Sequence, residues 1–493
     1  SSFAFLGFFI QASFSITALA QSPGEDVWTL QRCLEYALEH NIQLQQAELG
    51  IAQGNLTERA AKGAFLPNLN TSSSYGVNIG QRIDPFTNQF ASDAVQSSNY
   101  GISSGLTLFN GFQNHLNLRR ARLGLELAQA NVEIAQNNLA LNLASAYLNV
   151  LFQKEFLTIA QFNAVATGRQ VDRIQKLVNA GAAANSDLFD VLAQQAADQS
   201  AVVSAENGVT ISKLALAQLL QLSGDDADNM DVAPPSDDLI ETTQLPLSSD
   251  AAVAFALQAF PDMKAAELQV TDAHLGLDLA KAQRMPLITG SYSVGSGYSQ
   301  NRQTAISQPI TQDVTIETLE GLQLTYPAVI ENGEFATMPF QDQFTNNLNQ
   351  SIFFSLSLPI FNGFSIETNI DRAEVDILSA KLAKKQTSQA LTQTVEQAWA
   401  DARAAQRTFE ANDRALEAAT LAMTNAEARF EAGAISALEY ADVRTRLDNA
   451  RVNALRTQYD FVFKTRILDF YLGRPLSPVS YTHLRAHETF HDR

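Results

Sequence analysis

The stretch Leu108-Phe109-Asn110-Gly111-Phe112 is written again, nearly letter for letter, at Ile360-Phe361-Asn362-Gly363-Phe364. The copies stand 252 residues apart (363 − 111) in a chain of 493. Glycine permits a tight turn that other residues resist, and asparagine tolerates such a turn or caps the helix after it. Alternating greasy and small polar residues lead into both copies, so each reads as a strand running into a turn. A turn this specific, repeated half a chain later, marks a duplication.

The surrounding sequence agrees. Asn179-Ala180-Gly181-Ala182 returns as Glu431-Ala432-Gly433-Ala434, again at an offset of 252 (433 − 181). Phe65-Leu66-Pro67 is echoed by Arg284-Met285-Pro286 at only 219 (286 − 67), so 33 residues (252 − 219) enter the second copy between the proline and the Asn-Gly. A unit this large is a tandem duplication and not a short-period solenoid. Each copy has a helical segment (30–64 and 250–283), two strands around a loop, and a long helical stretch. No proline lies between Pro85 and Pro234, or between Pro359 and Pro475. Proline inside a helix costs about 3 kcal/mol, so these gaps permit long unbroken helices.

In the first of them Leu123, Leu127, Ala130, Ile134, Leu141, Ala144, Leu148 and Leu151 fall alternately four and three apart, with only Asn137 interrupting. That is coiled-coil spacing. A helix over 117–180 would be about 95 Å long at about 1.5 Å per residue. Turns follow at Gly181 and Gly433, and Val443, Leu447, Ala450 and Ala454 stripe a returning helix. The first copy occupies 21–224 and the second 251–476. Between them 225–250 holds seven Asp and one Glu with no Lys or Arg, which reads as a solvated, irregular waist.

The strands alternate with period two. Leu69, Tyr75, Val77 and Ile79 oppose Asn68, Asn70, Ser72, Ser74 and Asn78; Tyr100, Ile102, Leu106 and Leu108 oppose Gly101, Ser103, Gly105 and Thr107. Ile288, Tyr292, Val294 and Tyr298 mark the third strand, and Ile352, Phe354, Leu356, Leu358 and Ile360 oppose Ser351, Ser355 and Ser357 in the fourth. An ordinary half-buried sheet would fit this pattern but needs a covering layer, and the helices are committed to their own hairpins. Strands with lipid on one face and water on the other fit it too. Sheet edges cannot face hydrocarbon and barrels begin at about eight strands, so four strands would need further copies of the chain, two giving eight or three giving twelve.

The ends are read separately. Residues 3–19 are mostly apolar and close with Ala18-Leu19-Ala20, the pattern of a secretory signal at 1–20 whose start lies before Ser1. No other run reaches the roughly 18 apolar residues of a membrane helix. Residues 477–493 hold three of the six His, at His483, His487 and His491. Their spacing of four could suggest a metal face on a helix, but no Glu or Cys stands in ligand register and the segment matches nothing upstream, so it reads as a non-native tail. The single Cys33 excludes an internal disulfide, and a net charge of −19 argues against nucleic acid.

No catalytic constellation emerges. Gly101-Ile102-Ser103-Ser104-Gly105 fits the G-x-S-x-G pattern, but strand alternation continues through it where a sharp turn into a helix is required. His40, His115 and His274 stand without metal-ligand spacing, and Gly290, Gly295 and Gly297 lack the lysine of a phosphate loop. No enzyme activity, cofactor or metal is expected.

Two copies of strand, strand, Phe-Asn-Gly and long helix, with glycine-turned hairpins and Leu66-Pro67 before the first strand, resemble the TolC-like outer membrane efflux proteins over 27–476. The resemblance implies a mostly α fold with a membrane β-barrel: a homotrimer whose twelve strands close in outer membrane lipid above a periplasmic α-helical barrel. It implies a passive exit duct of a tripartite efflux or type I secretion system, with a periplasmic adaptor (membrane fusion) protein and an inner-membrane transporter as partners. A trimeric coiled-coil structural or adhesive surface protein is the alternative, which accounts for the helices but not for the strands. Loops 80–98 and 299–350 would then be extracellular.

The resemblance also places the site at the hairpin tips. Gly181, Ala182 and Ser186, with Gly433, Ala434 and Ser436, would meet the adaptor. Asp187 and Asp190, and Glu439 and Asp442, share a spacing of three that puts each pair on one helix face, although acids are also favoured at any helix start. In the family the second pair lines a cation-binding constriction. Phe430 and Ile435 stand where well-known members have a gate tyrosine and a gate arginine, so the resemblance implies a gate held here by packing and backbone contacts. Asn110, Gly111, Asn362 and Gly363 form the strand-to-helix turns.

Overall fold

The computed structural model describes residues 27–474, apart from 81, 84–87, 89, 92–93, 234–244, 246–247, 308–309, 318–320, 322 and 332–334. The expected signal at 1–20, the tail at 477–493 and the middle of the acidic waist lie outside the described residues. The chain divides into two units: residues 50–128 with 266–384, and the remainder. Each unit therefore draws on both copies of the duplication.

The duplication holds at the level of elements. Gln113–Asn179 and Ser365–Glu431 are helices of 67 residues each, and Asn185–Leu219 and Ala437–Tyr471 are return helices of 35. All four boundaries recur at the offset of 252. The preceding helical segments are each broken once, where the sequence pattern gives one helix: Leu30–His40 and Ile42–Gly63 in the first copy, Asp250–Ala259 and Pro261–Ala282 in the second. The breaks at Asn41 and Phe260 are 219 apart (260 − 41), matching the upstream offset. Their chemistry differs. Buried Asn41 accepts from the backbone N–H groups of Gln43 (3.0 Å) and Leu44 (3.3 Å), capping the new helix, and donates to the Leu219 carbonyl at 3.1 Å. Phe260 is extended because Pro261 follows, and proline disfavours helical geometry in the residue before it.

In the unit built from 50–128 and 266–384, four strands make one antiparallel sheet. They are Asn70–Asn78, Val95–Asn110, Leu287–Ser299 and Asn349–Ser357, in the spatial order fourth, third, second, first. The central pair joins the two copies. Ile102 lies opposite Val294, Ser104 opposite Tyr292, and Tyr292 opposite Ile352, so the apolar face runs continuously across strands. That face is open at Ile352, 66% exposed, and Phe354, 74% exposed, while Phe340 and Phe344 pack on its Tyr100 and Tyr298.

Several expectations need correction here. A bulge between Thr107 and Phe109 inserts Leu108 as an extra residue and puts Phe109 opposite Ile288. The fourth strand ends at Ser357, leaving Leu358 and Ile360 outside it, because it has no ladder partner beyond Leu287 and Pro359 lacks an N–H to donate. The second strand begins at Val95, inside the expected loop 80–98, where Arg82–Ile83 also pairs with Phe90–Ala91. The 299–350 segment is not irregular. Ile310–Glu317 pairs with Gln323–Glu331, Gln303–Ala305 pairs with Phe335–Thr337, and Phe340–Asn346 is a short helix. Its buried Gln343 accepts from the Ser299 N–H at 2.9 Å and donates to the carbonyls of Ser299 (2.9 Å) and Met338 (2.8 Å).

The acidic waist is not wholly irregular either. Asp231–Val232 pairs in parallel with Val27–Trp28. Lys154 and Lys213 both hold Asp231 at 3.0 Å, which is how an acidic segment settles against two helices. The Tyr147 hydroxyl reaches the carbonyls of Trp28 (3.2 Å) and Ala233 (3.0 Å). Elsewhere in the unit that holds the waist, built from 129–265 and 385–474 with 27–49, Ala252, Ala256, Val395 and Ala402 pack with Phe260, Leu468 and Tyr471, small side chains letting helices approach closely. Among the described residues no helix is long and apolar enough to cross a membrane.

Candidate functional site

Each hairpin tip is set by backbone geometry. Gly181 and Gly433 have φ of 74° and 72°, the left-handed region that costs any residue with a Cβ. A Cβ at either would meet nothing within 4 Å, so the demand is on φ and not on space. Ala182 donates to the Leu177 carbonyl and Ala434 to that of Arg429, both at 2.8 Å, while each glycine N–H bonds the carbonyl three residues back. This is the paired closure that ends a helix on a left-handed residue.

The return helices then start differently. In the first tip Ala184 has no capping side chain, and Asp187 reaches back to the Ala184 N–H at 3.3 Å. In the second, the Ser436 hydroxyl accepts from the Glu439 N–H at 3.2 Å. Glu439 faces Arg429 across the turn at 3.9 Å, and Asp442 pairs with Arg446 one helical turn on. Both pairs are exposed and worth little to stability. Asp190, Ser186 and Ala182 are placed on the first tip, and Ala434 and half-buried Ile435 on the second.

The residues that bind the two hairpins together include several that sequence reasoning missed. Phe430 packs on Ile174, Leu188 and Val191 of the first hairpin, stacks on Tyr440 at 4.7 Å, and lies 5.5 Å under the Arg173 guanidinium. Arg173 also pairs with Glu431 at 3.7 Å. Deeper along the return helix, Arg444 donates to the Asn163 carbonyl (2.7 Å) and to Gln170 (3.4 Å). It stands 3.7 Å from both Asp198 and Asp448. The Arg444 and Asp198 side chains are only 11% and 12% exposed. Thr167 and Gln194 donate to the Asp198 carboxylate. Burial pushes the Asp448 carboxyl up, against Arg444 and Arg451, with Asp198 adding to the rise. Beside this network, Phe162, Phe430, Tyr440 and Leu447 help line a cavity of about 340 Å³. The periodicity of the return helix gave no signal for it, since Arg444 stands beside and not on the stripe of Val443, Leu447, Ala450 and Ala454.

The strand-to-helix turns hold a further surprise. Gly111 (φ 64°) and Gly363 (φ 65°) are left-handed, and so are the residues after them, Phe112 (φ 66°) and Phe364 (φ 63°). The strain falls on phenylalanine and not on asparagine. Each Phe is held edge-to-face by its neighbour, Phe109 at 5.3 Å and Phe361 at 5.5 Å. Asn110 accepts from the Asn114 N–H at 3.3 Å and donates to its side chain at 2.8 Å. At the second turn it is the Asn362 carbonyl that accepts, from the Ser365 N–H at 3.4 Å.

The remaining motifs are structural. Gly101 to Gly105 lies mid-strand, with Ser103 opposite Asn70. Cys33 is buried and its thiol is pushed up to about 12 by desolvation, which leaves it unreactive. His40 stacks on Tyr36, and His115 meets Phe65 edge-to-face. Among the described residues no three His, Cys, Asp or Glu side chains gather as a metal site.

Comparison with known proteins places this geometry. The sequence model of the family described as "Outer membrane efflux protein" matches residues 33–221 and 253–474, one match per copy. The outer membrane protein TolC of Vibrio cholerae is 22% identical over 412 residues, spanning 82% of this chain and 81% of that protein. The solved structure of the outer membrane protein VceC from Vibrio cholerae is similar at a TM-score of 0.71 and 16% identity, covering 91% of this chain and 97% of that one. The CmeC outer membrane channel of Campylobacter jejuni is similar at 0.72 and 14%, covering 91% and 86%.

Proposed function

The chain belongs to the outer membrane efflux protein family and is an outer membrane exit channel; from that premise we propose that it is the passive duct of a tripartite efflux or type I secretion system, working as a homotrimer. The observation that carries the assembly is the state of the sheet. Its apolar face is exposed at Ile352, Phe354 and Leu356, away from Tyr100 and Tyr298, which Phe340 and Phe344 cover. Among the described residues its edges, Asn70–Asn78 and Asn349–Ser357, are unpaired and run in opposite directions. The fourth strand of one copy can therefore continue the antiparallel ladder into the first strand of the next. Three copies close twelve strands with no edge left in lipid. The connections between these strands, 79–94 and 300–348, face the outside, and protease added to intact cells should nick the longer one first.

In this reading the hairpin tips are the periplasmic gate, and the grooves around 182–186 and 434–437 take the periplasmic adaptor that links the duct to an inner-membrane transporter. The gate is held by the packing of Phe430 on Tyr440 and the first hairpin, supported by the Arg444 network. Threefold symmetry gathers Glu439 and Asp442 into a ring of six carboxylates that attracts cations, with Arg429 and Arg446 moderating the charge. In planar bilayers the wild type should conduct with cation preference, and Glu439→Ala with Asp442→Ala should weaken that preference. Unchanged selectivity in the double variant would reduce the acids to ordinary helix-start residues.

A further inference from the structure

The four sheet strands, 70–78, 95–110, 287–299 and 349–357, contain no Asp, Glu, Lys, Arg or His, in a chain with 52 acidic and 33 basic residues. The face opposite the apolar one consists of Ser, Gly, Asn and Thr, apart from Val95 and Leu287 at strand ends and one exception in its middle. That exception is Phe353. It stands between Ser351 and Ser355, opposite Ser291, which is itself opposite Gly105. Its row across the sheet therefore holds nothing of comparable size, and the ring is 66% exposed. Strand alternation keeps it off the face of Ile352 and Phe354.

Resting on the trimeric duct above, we propose that Phe353 is the cargo-contact residue of the membrane section. Three copies of its ring project into the lumen at one level. They give a wall of small, uncharged, hydrophilic side chains its one apolar site away from the strand ends. A wall without fixed charge does not sort solutes by sign, so charge selection is left to the helical tips. The rings instead retain solutes that present aromatic or apolar surface, neutral or charged. Contact between two aromatic rings lengthens residence roughly threefold to tenfold.

Two measurements test this. Phe353→Trp, reconstituted in brominated phosphatidylcholine and compared with the unsubstituted protein, should add emission that aqueous acrylamide quenches and the brominated lipid does not. Quenching by the lipid would put the residue on the outer face and end the proposal. In single-channel records, phenyl glucoside should interrupt the wild-type current for at least about threefold longer than glucose does. Phe353→Ser should make the two solutes equal while leaving the reversal potential in a salt gradient unchanged. A conducting wild type with equal dwell times, or a serine variant that keeps the difference, would overturn the Phe353 assignment alone. A wild type that does not conduct would overturn the duct reading and this inference with it.

Discussion

At the first hairpin the return helix begins Ala184-Asn185-Ser186-Asp187-Leu188; at the second, 252 residues on, it begins Ser436-Ala437-Leu438-Glu439-Tyr440. Helix lengths, glycine φ angles and turn hydrogen bonds are the same in both. The side chains are not. Val178, Leu188, Leu192 and Ala196 of the first copy correspond to Phe430, Tyr440, Arg444 and Asp448 of the second. At these four positions the second copy carries aromatic or charged residues where the first is aliphatic, and Asn163, Gln170, Asp198 and Arg173 of the first hairpin supply their partners. Returning the second copy's residues to the first copy's identity is then the natural way to probe the gate.

The largest difference between matched positions is expected at the strand-to-helix turns. A Cβ at Gly111 would sit 2.5 Å from the Met285 Cβ and 2.6 Å from the Ala282 carbonyl oxygen, whereas one at Gly363 meets nothing within 4 Å. Gly111→Ala should therefore cost more than about 3 kcal/mol, from strain and displaced backbone together, and Gly363→Ala only about 1–2 kcal/mol. Thermal unfolding of the two variants side by side measures the gap, and equal losses would show that only φ matters at both turns.

Next comes Arg444→Leu, which restores the Leu192 of the first copy. It leaves Asp198 and Asp448 without their shared cation in a poorly hydrated site, a loss of about 3 kcal/mol. Hydrogen exchange along 163–170 and 440–448 should rise, and single-channel openings should lengthen. Arg444→Lys should recover only part of this, since an ammonium cannot span four acceptors as a guanidinium does.

Tyr440→Leu removes the ring that stacks on Phe430 and should cost about 1 kcal/mol. Its effect should largely vanish in a Phe430→Val background, because both changes break one contact. Additive losses would mean that the two rings act separately.

The smallest effect is set by pH. The Asp448 carboxyl is raised by burial, so its ionised form is a burden on the folded state. The burden is complete above the folded value and disappears below the ordinary value of 3.8. Asp448→Asn should thus melt about 1–2 °C above the wild type at pH 8, with the difference shrinking as pH falls toward 4. A difference that grows on acidification would reverse the sign of this account.

What the sequence made legible follows from periodicity and backbone demand. The Asn-Gly and Ala-Gly words located all four turns, the proline gaps allowed both 67-residue helices, and alternation located the strands and their faces. Features that depend on a distant partner were not legible. The bulge at Leu108 and the early end of the fourth strand are set by which neighbour remains to pair with. Asn41 breaks a helix because Leu219 and the following turn use its side chain, while the break at Phe260 follows from Pro261 alone, a local signal that the helical pattern over 250–283 masked. At the tips the glycines and capping acids could be read, but Arg444 and Asp198 gain their meaning from each other across the two hairpins, and Tyr440 from Phe430 on the far side of its own turn.

The central claim is that three copies of this four-stranded sheet close into one wall. The mass of the detergent-extracted protein, measured in a native spectrum without cross-linker, tests it most directly. The account predicts a single species of three chains, lost when the edge strands 70–78 and 349–357 are interrupted by proline. A monodisperse monomer would contradict it.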